Sequence, residues 1–190
     1  MGLTASDMSD MGRLAHLAIN PQNGASREEI YLAGASLYRI QGAGLNARER
    51  ELMREILRRL THDVEMAIRI ALAQRLADDT TAPPDLILLL VDDNIEVARP
   101  LILHSPLLTE NDVLRLIAES GTGHQEACAG RSNIGMPVCE ALSRCESESV
   151  LLALVRNATA RISPATYAVL VEKSRALPPL QEPLVRRDDL

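Results

Sequence analysis

Asp63-Val64-Glu65-Met66-Ala67, Asn94-Ile95-Glu96-Val97-Ala98 and His124-Gln125-Glu126-Ala127-Cys128 are three versions of one phrase, and Glu65, Glu96 and Glu126 stand 31 and then 30 residues apart. Each follows a Leu-rich run. A recurrence of this length implies stacked helix pairs, because one pair cannot bury its apolar face alone and needs a neighbour of the same kind. The reading is therefore all-α, an α-solenoid of antiparallel helix pairs.

Working outward from the repeat, Val64 to Ala77 carries Val64, Ala67, Ile68, Ala71, Leu72 and Leu76 on one helical stripe. The run Leu86-Ile87-Leu88-Leu89-Leu90-Val91 has no polar position and by periodicity alone could be a buried strand. Its Leu content, the preceding Pro83-Pro84 and its place in the repeat make it a helix from Pro84 to Val91. Ile95 to His104 follows, with Pro100 expected to kink or shorten it. Further helices are expected over 110–120, around 124–130, over 137–143 and 147–156, and from a Ser163 cap with Pro164 to about Ala176. Thr109 to Asp112 and Asn46 to Glu49 have the spacing of capping boxes, as does Ser26 to Glu29. Before the repeats come three helices, over Met8 to Ile19, from Ser26 to about Gln41 and from Asn46 to about Leu60.

Domain organisation follows: residues 1–60 cap the array, 61–176 are the repeats, and 177–190 are an extended tail that opens a linker to a further C-terminal region. The chain is expected to be the front part of a longer protein.

Composition agrees with helices. Of 190 residues 46% are hydrophobic, yet there is no Phe or Trp and only three Tyr, so the core must be interlocked Leu and Ala rather than the aromatic and β-branched material of a sandwich. Nineteen of the twenty basic residues are Arg, but the net charge is -6, which disfavours general nucleic-acid binding. Residues 46–77 hold seven Arg against five acids, whereas 78–126 hold ten acids against Arg99 and Arg115. The acidic surface of Asp78, Asp79, Asp92, Asp93, Glu96 and Glu119 is the candidate partner-binding face. The stripe of Arg50, Arg54 and Arg58, with Arg69, is the alternative, a nucleic-acid face within residues 48–75.

Arg69, Arg99, Arg131 and Arg161 recur near one point of successive units and read as a structural ladder, each paired with a turn acid such as Asp63, Asp93 or Glu126. Cys128, Cys139 and Cys145, with His124, are the right atom types for zinc. Spacings of 11 and 6 between the cysteines match no zinc pattern, so they read as thiols in the repeat core. Asp78-Asp79 and Asp92-Asp93-Asn94 lack the alternating spacing and the Gly of a calcium loop. His62, His104 and Ser105 come with no nucleophile elbow. No metal, cofactor or catalytic set is assigned. Without an apolar run of 18 residues or a signal peptide, the expected location is the cytoplasm.

Leu90 to Ala98 resembles the second half of a HEAT repeat, where a Leu-rich helix, an Asp turn and Glu-Val open the next helix; Asp63-Val64-Glu65 with Ile68-Arg69 is a second instance. Residues 71–77, Val97-Ala98-Arg99-Pro100-Leu101, Ser105-Pro106-Leu107-Leu108-Thr109, His124 to Arg131, and residues 183–190 are similar to an uncharacterised bacterial family, domain of unknown function 2336. At Gly130 the chain departs from that pattern, which has a helix-forming residue there. The resemblance implies a HEAT-like α-solenoid with more chain beyond residue 190, and it implies no activity. The expected role is a non-enzymatic scaffold that binds another protein or the C-terminal part of its own chain.

Overall fold

The computed structural model describes residues 27–41, 44–63 and 65–187, and among these it contains eleven α-helices and no strand. They are α1 (Arg27–Gln41), α2 (Ala47–Asp63), α3 (Met66–Leu76), α4 (Pro84–Val91), α5 (Ile95–His104), α6 (Glu110–Glu119), α7 (Thr122–Gly130), α8 (Met136–Ser143), α9 (Glu148–Arg156), α10 (Pro164–Ser174) and α11 (Gln181–Val185). The helix expected over Met8–Ile19 and the cap at Ser26 lie outside the described residues.

Local chemistry sets several helix starts. Asn46 and Glu49 exchange side-chain and backbone bonds of 2.9 and 3.0 Å at α2. At α6, Thr109 and Asp112 form the reciprocal pair at 2.9 and 3.3 Å, satisfying amides that have no partner inside the helix. Asn94 caps α5 by accepting from Glu96 N, and Ser163 caps α10 by accepting from Thr166 N, with Pro164 in the first turn. The apolar run Leu86 to Val91 is helical as expected. Tertiary packing gives it the period its sequence lacks: Leu86, Ile87, Leu90 and Val91 are buried while Leu88 and Leu89 are half-buried. Pro100 sits inside α5 without ending it, and α7 continues through Gly130.

The helices lie in two rows. In one, α3, α5, α7, α9 and α11 pack in sequence, each on the next; in the other, α6, α8 and α10 do the same, and α4 packs on α2. Neighbours along the chain cross between the rows. The repeated phrase marks α3, α5 and α7, the helices that stack directly. Their approach is close enough that a Cβ on Gly123 of α7 would sit 3.0 Å from Ile95 of α5. Between the rows runs a continuous aliphatic core, with Leu90, Leu101, Ile102, Leu116, Leu142 and Leu151 fully buried. Truncating one such Leu to Ala costs on the order of 2–5 kcal/mol, because the cavity relaxes only in part.

The Arg series resolves differently from the expected ladder. Arg69 does pair with Asp93, Nε to Oδ2 at 2.8 Å. Arg99 and Arg161 are exposed, and only the Arg161 backbone N–H is engaged, with Ile134 O at 3.0 Å. Arg131 binds no acid; it donates to Ile102 O at 2.6 Å and Ser105 O at 2.8 Å, the carbonyls that close α5. It is the first rung of another series. Asn157, just after α9, donates to Ala129 O and Arg131 O at 2.8 and 2.7 Å, closing α7. Arg187, after α11, donates to Val155 O, Asn157 O and Ala160 O at 3.2, 2.8 and 2.9 Å, closing α9. The last carbonyls of a helix have no intrahelical donor, and a side chain from the next helix of the row supplies it. Burial pushes the Arg131 guanidinium below its ordinary value.

The C-terminal stretch also corrects an expectation. Residues 177–187 are not an extended tail: Pro178–Leu180 form a 3₁₀ turn and α11 follows, with Leu180 and Leu184 buried and Arg187 only 8% exposed. A helix of 5 residues is too short to show a period in the sequence. The segment is the last described member of its row, held additionally by Tyr167 Oη donating to Leu184 O at 2.5 Å.

Arg187→Ala leaves three buried carbonyls short of a donor and is expected to cost about 2–3 kcal/mol, and Asn157→Ala about 1–2 kcal/mol. Arg99→Ala and Arg161→Ala should lie within roughly 0.5 kcal/mol of the parent, as exposed substitutions usually do. Urea unfolding followed by circular dichroism checks the order.

Candidate interaction surface

Acidic turn residues are the first candidates, and the structure spends most of them internally. Asp93, between α4 and α5, has a side chain 12% exposed against 15% for Arg69, so the pair is largely withdrawn from water. Its Oδ1 also accepts from Asn94 N at 2.6 Å, and its carbonyl meets His124 Nε2 at 3.1 Å. One acid thus ties α3, the α5 start and α7 together. Asp92 pairs with Arg115 of α6 at 2.9 Å, and Arg115 also reaches Glu119 at 3.7 Å. Asp79 accepts from Thr81 N and Oγ1 at 2.8 and 2.6 Å, which holds its carboxyl below the usual range, with Arg39 at 3.7 Å. Asp78 and Glu96 alone of the six are exposed with no partner among the described residues. Four of the six thus already carry an internal partner.

The Arg-rich edge is treated alike. Arg58 and Arg59 share Glu55 at 2.7 and 2.6 Å, and Arg54 bridges Glu51 at 3.2 Å and Asp85 at 3.1 Å. Arg50 donates to Leu45 O at 3.1 Å. Asp85, in the first turn of α4, also accepts from Tyr38 Oη at 3.0 Å. Burial and that bonded carboxylate push the Tyr38 phenol up to about 12. This cluster joins α1, α2 and α4, and sequence distance concealed it, since Tyr38 and Asp85 are 47 positions apart.

The thiols do not converge on a metal geometry. Cys128 and Cys139 are buried in α7 and α8, and Cys145 is half-buried after α8. Desolvation pushes the Cys128 thiol up to about 12 and raises Cys145 as well. The one Lys, Lys173, serves structure, donating to Cys145 O at 2.7 Å. Among the described residues no three His, Cys, Asp or Glu side chains are grouped to hold a metal ion, and no helix is long and apolar enough to cross a membrane.

What remains open and apolar is a trough between α1 and α3. The buried stripe of α3 is Leu72, Ala73 and Leu76, turned from the one read off the sequence, so that Ala67 and Ala71 are exposed. Arg69, on the same helix, pairs with Asp93 at the start of α5. Opposite Ala67 and Ala71, α1 presents Leu32, Ala35 and Ser36, and the space between is about 390 Å³. Arg39 and Arg75 are the charged residues among those that line it. A second space of about 490 Å³ lies at the far end of the array between α9 and α11, lined by Arg156, Glu182, Pro183 and Arg186. There Arg186 is already paired with Glu182 at 2.6 Å.

A family model described as "Uncharacterised protein conserved in bacteria (DUF2336)" matches residues 97–190. It is the family that the residues from Val97 onward resemble, and its description assigns no activity; the similar residues 71–77 lie outside the match. No curated protein and no solved structure matches the chain.

Asp93→Asn strands a partly buried guanidinium and is expected to cost roughly 2–3 kcal/mol in urea unfolding, whereas Asp78→Asn and Glu96→Gln stay near neutral. Iodoacetamide at pH 8 should label Cys145 slowly and Cys128 and Cys139 only on unfolding, as mass spectrometry of native and urea-treated protein would report. The unfolded Cys128 thiol ionises near 9 and the folded one near 12, so the unfolded state loses its proton first and stability falls as pH rises from 9 toward 12.

Proposed function

We propose that this chain, whose second half matches a family of uncharacterised bacterial proteins, is a HEAT-like α-solenoid that works in the cytoplasm as a non-enzymatic protein-interaction module. The two-row stacking supports the solenoid reading: each pair adds one helix to each row, and the rows share one core. The repeats begin at α3, with α1 and α2 as their cap, and α11 continues the row beyond α9.

The observation that carries the binding role is the trough between α1 and α3. Many charged groups among the described residues are held in ion pairs with one another, so charge is a poor guide to its partner. The trough instead joins apolar walls with two cations, Arg39 and Arg75. That is the pattern which receives the apolar face of an amphipathic helix bearing an acidic terminus. Its residues come from α1 of the cap and α3, the first helix of the repeats. The partner is another protein or a C-terminal region of the same chain. The acidic-face version of this reading is weakened by the Asp93 and Asp92 pairs, and the Glu55 and Asp85 pairs of the Arg edge leave nothing that favours nucleic acid.

The test compares tagged protein with its Ala71→Glu variant in affinity co-purification from the native cell, quantified by mass spectrometry. Ala71 is exposed, so the variant should melt within a few degrees of the parent. Loss of a specific partner by at least tenfold is expected. Equal recovery from both proteins would remove the trough from the binding surface.

A further inference from the structure

The trough between α1 and α3 adjoins a polar space through Arg39. The same side chain lines a further space of about 300 Å³, whose walls include Tyr38, Arg50, Thr81, Pro83 and Asp85, from α1, α2 and the turn into α4. Of the two cations of the trough, Arg39 alone is shared. An apolar space and a polar one therefore meet at one guanidinium.

The cations of the polar space are those that the ion pairs pass over. On α2, Arg54, Arg58 and Arg59 each hold a Glu. Arg50, on the same helix, holds no acid among the described residues; it is exposed, and its one bond runs from Nη2 to Leu45 O at 3.1 Å. Arg39 lies 3.7 Å from Asp79, beyond hydrogen-bond length, and the other oxygen of that carboxylate accepts from Thr81 N and Oγ1 at 2.8 and 2.6 Å. Asp85, the acid that lines the space, is already engaged by Tyr38 Oη at 3.0 Å and by Arg54 at 3.1 Å. Two arginines thus line one space with one acid, and the charge of that acid is met by a third arginine outside the lining.

We propose that the trough and this space form one groove, and that its occupant is an amphipathic helix of a partner protein whose first turn carries Asp or Glu side chains. The apolar face of that helix lies in the trough, and its carboxylates meet Arg39 and Arg50. This deepens, and rests on, the reading that the trough binds a partner. A guanidinium fork takes a carboxylate through paired hydrogen bonds, a preference that apolar walls cannot express. The first turn is where a helix accepts acids best, because its free amides and its dipole favour negative charge there and oppose it in the last turn. A helix that starts at Arg39 therefore satisfies its own end and the two arginines with the same side chains. A basic helix would meet only Asp85 and set its charge against both cations. Exposed pairs of this kind add little affinity by themselves; they select and orient the helix that the apolar trough holds.

Fluorescence anisotropy of the full chain with three labelled, amidated peptides tests this. Each is about 14 residues, four helical turns, with Leu and Ala on one face and Gln on the other. One opens with two Glu, one has Gln in their place, and one carries the two Glu in its last turn. The Glu-first peptide is expected to bind at least fivefold tighter than the other two at low salt, with the gap closing at about 0.5 M salt as screening sets in. Arg50→Gln and Arg39→Gln should each bring the Glu-first peptide down to the level of the Gln peptide, while Arg58→Gln, the same charge change elsewhere on α2, keeps the preference. Equal binding of the Glu-first and Gln peptides, equal binding of the Glu-first and Glu-last peptides, a loss with Arg58→Gln as large as with Arg50→Gln, or no binding of any peptide at millimolar concentration overturns the proposal. So does a dimer of the parent that Ala71→Gln turns into a monomer, which assigns the trough to a second copy. Ala71→Gln, which crowds the trough without adding charge, also separates the two readings. If that variant loses the Gln peptide and the parent shows no preference for Glu, the trough stands and the acid site is wrong. If the Glu preference is unaltered by Ala71→Gln, the acid site stands and the trough is wrong.

Discussion

Every C-terminus in a stack of helices exposes carbonyls that its own helix cannot satisfy, and the rest of this molecule depends on how three of them are met. Arg187 reaches the Asn157 carbonyl, Asn157 reaches the Arg131 carbonyl, and Arg131 reaches the Ser105 carbonyl, at 2.8, 2.7 and 2.8 Å. Each residue that closes one helix is itself held by the residue that closes the next. A leucine core sets that α5, α7 and α9 touch, but apolar contact is non-directional and tolerates sliding. A guanidinium or an amide aimed at two or three fixed carbonyls does not. The series therefore gives the row its spacing, and losing a donor leaves carbonyls that are only partly open to water short of a partner.

Local turns are tuned to the same end. Asn133 sits at φ 59°, a left-handed conformation that Asn tolerates better than most residues, and there its N–H meets Thr159 Oγ1 at 2.9 Å. Thr159 is fixed in turn by the Asn157 side chain, whose Oδ1 accepts from Thr159 N and Oγ1 at 3.1 and 2.7 Å. Asn157 thus uses both ends of its amide, capping α7 with the nitrogen and shaping its own turn with the oxygen. The loop after α7 and the loop after α9 become one hydrogen-bonded unit, which is why Arg131 and Arg161, equivalent by spacing, do different work.

The same economy of polar groups shapes the surface. An acid that anchors a neighbouring helix, as Asp93 does with Arg69 and Asn94, is no longer available to a partner. What stays open to solvent on α3 instead includes apolar groups, Ala67 and Ala71 among them.

Periodicity, composition and caps were enough to read the helices. The thirty-residue recurrence of Glu65, Glu96 and Glu126, the lack of Phe and Trp, the Asn46 to Glu49 and Thr109 to Asp112 boxes and Pro164 behind Ser163 act over a few neighbouring positions, and such short-range forces are written in the order of residues. Burial within the run Leu86 to Val91, the choice of Arg131 over Arg99 as a structural residue, the helix over Gln181–Val185 and the pairing of Tyr38 with Asp85 were decided only by the tertiary structure. Each depends on what stands opposite in space, between 26 and 47 positions away for the polar contacts. An exposed arginine and a capping arginine have the same chemistry; only the carbonyls brought within reach by the stacked row tell them apart.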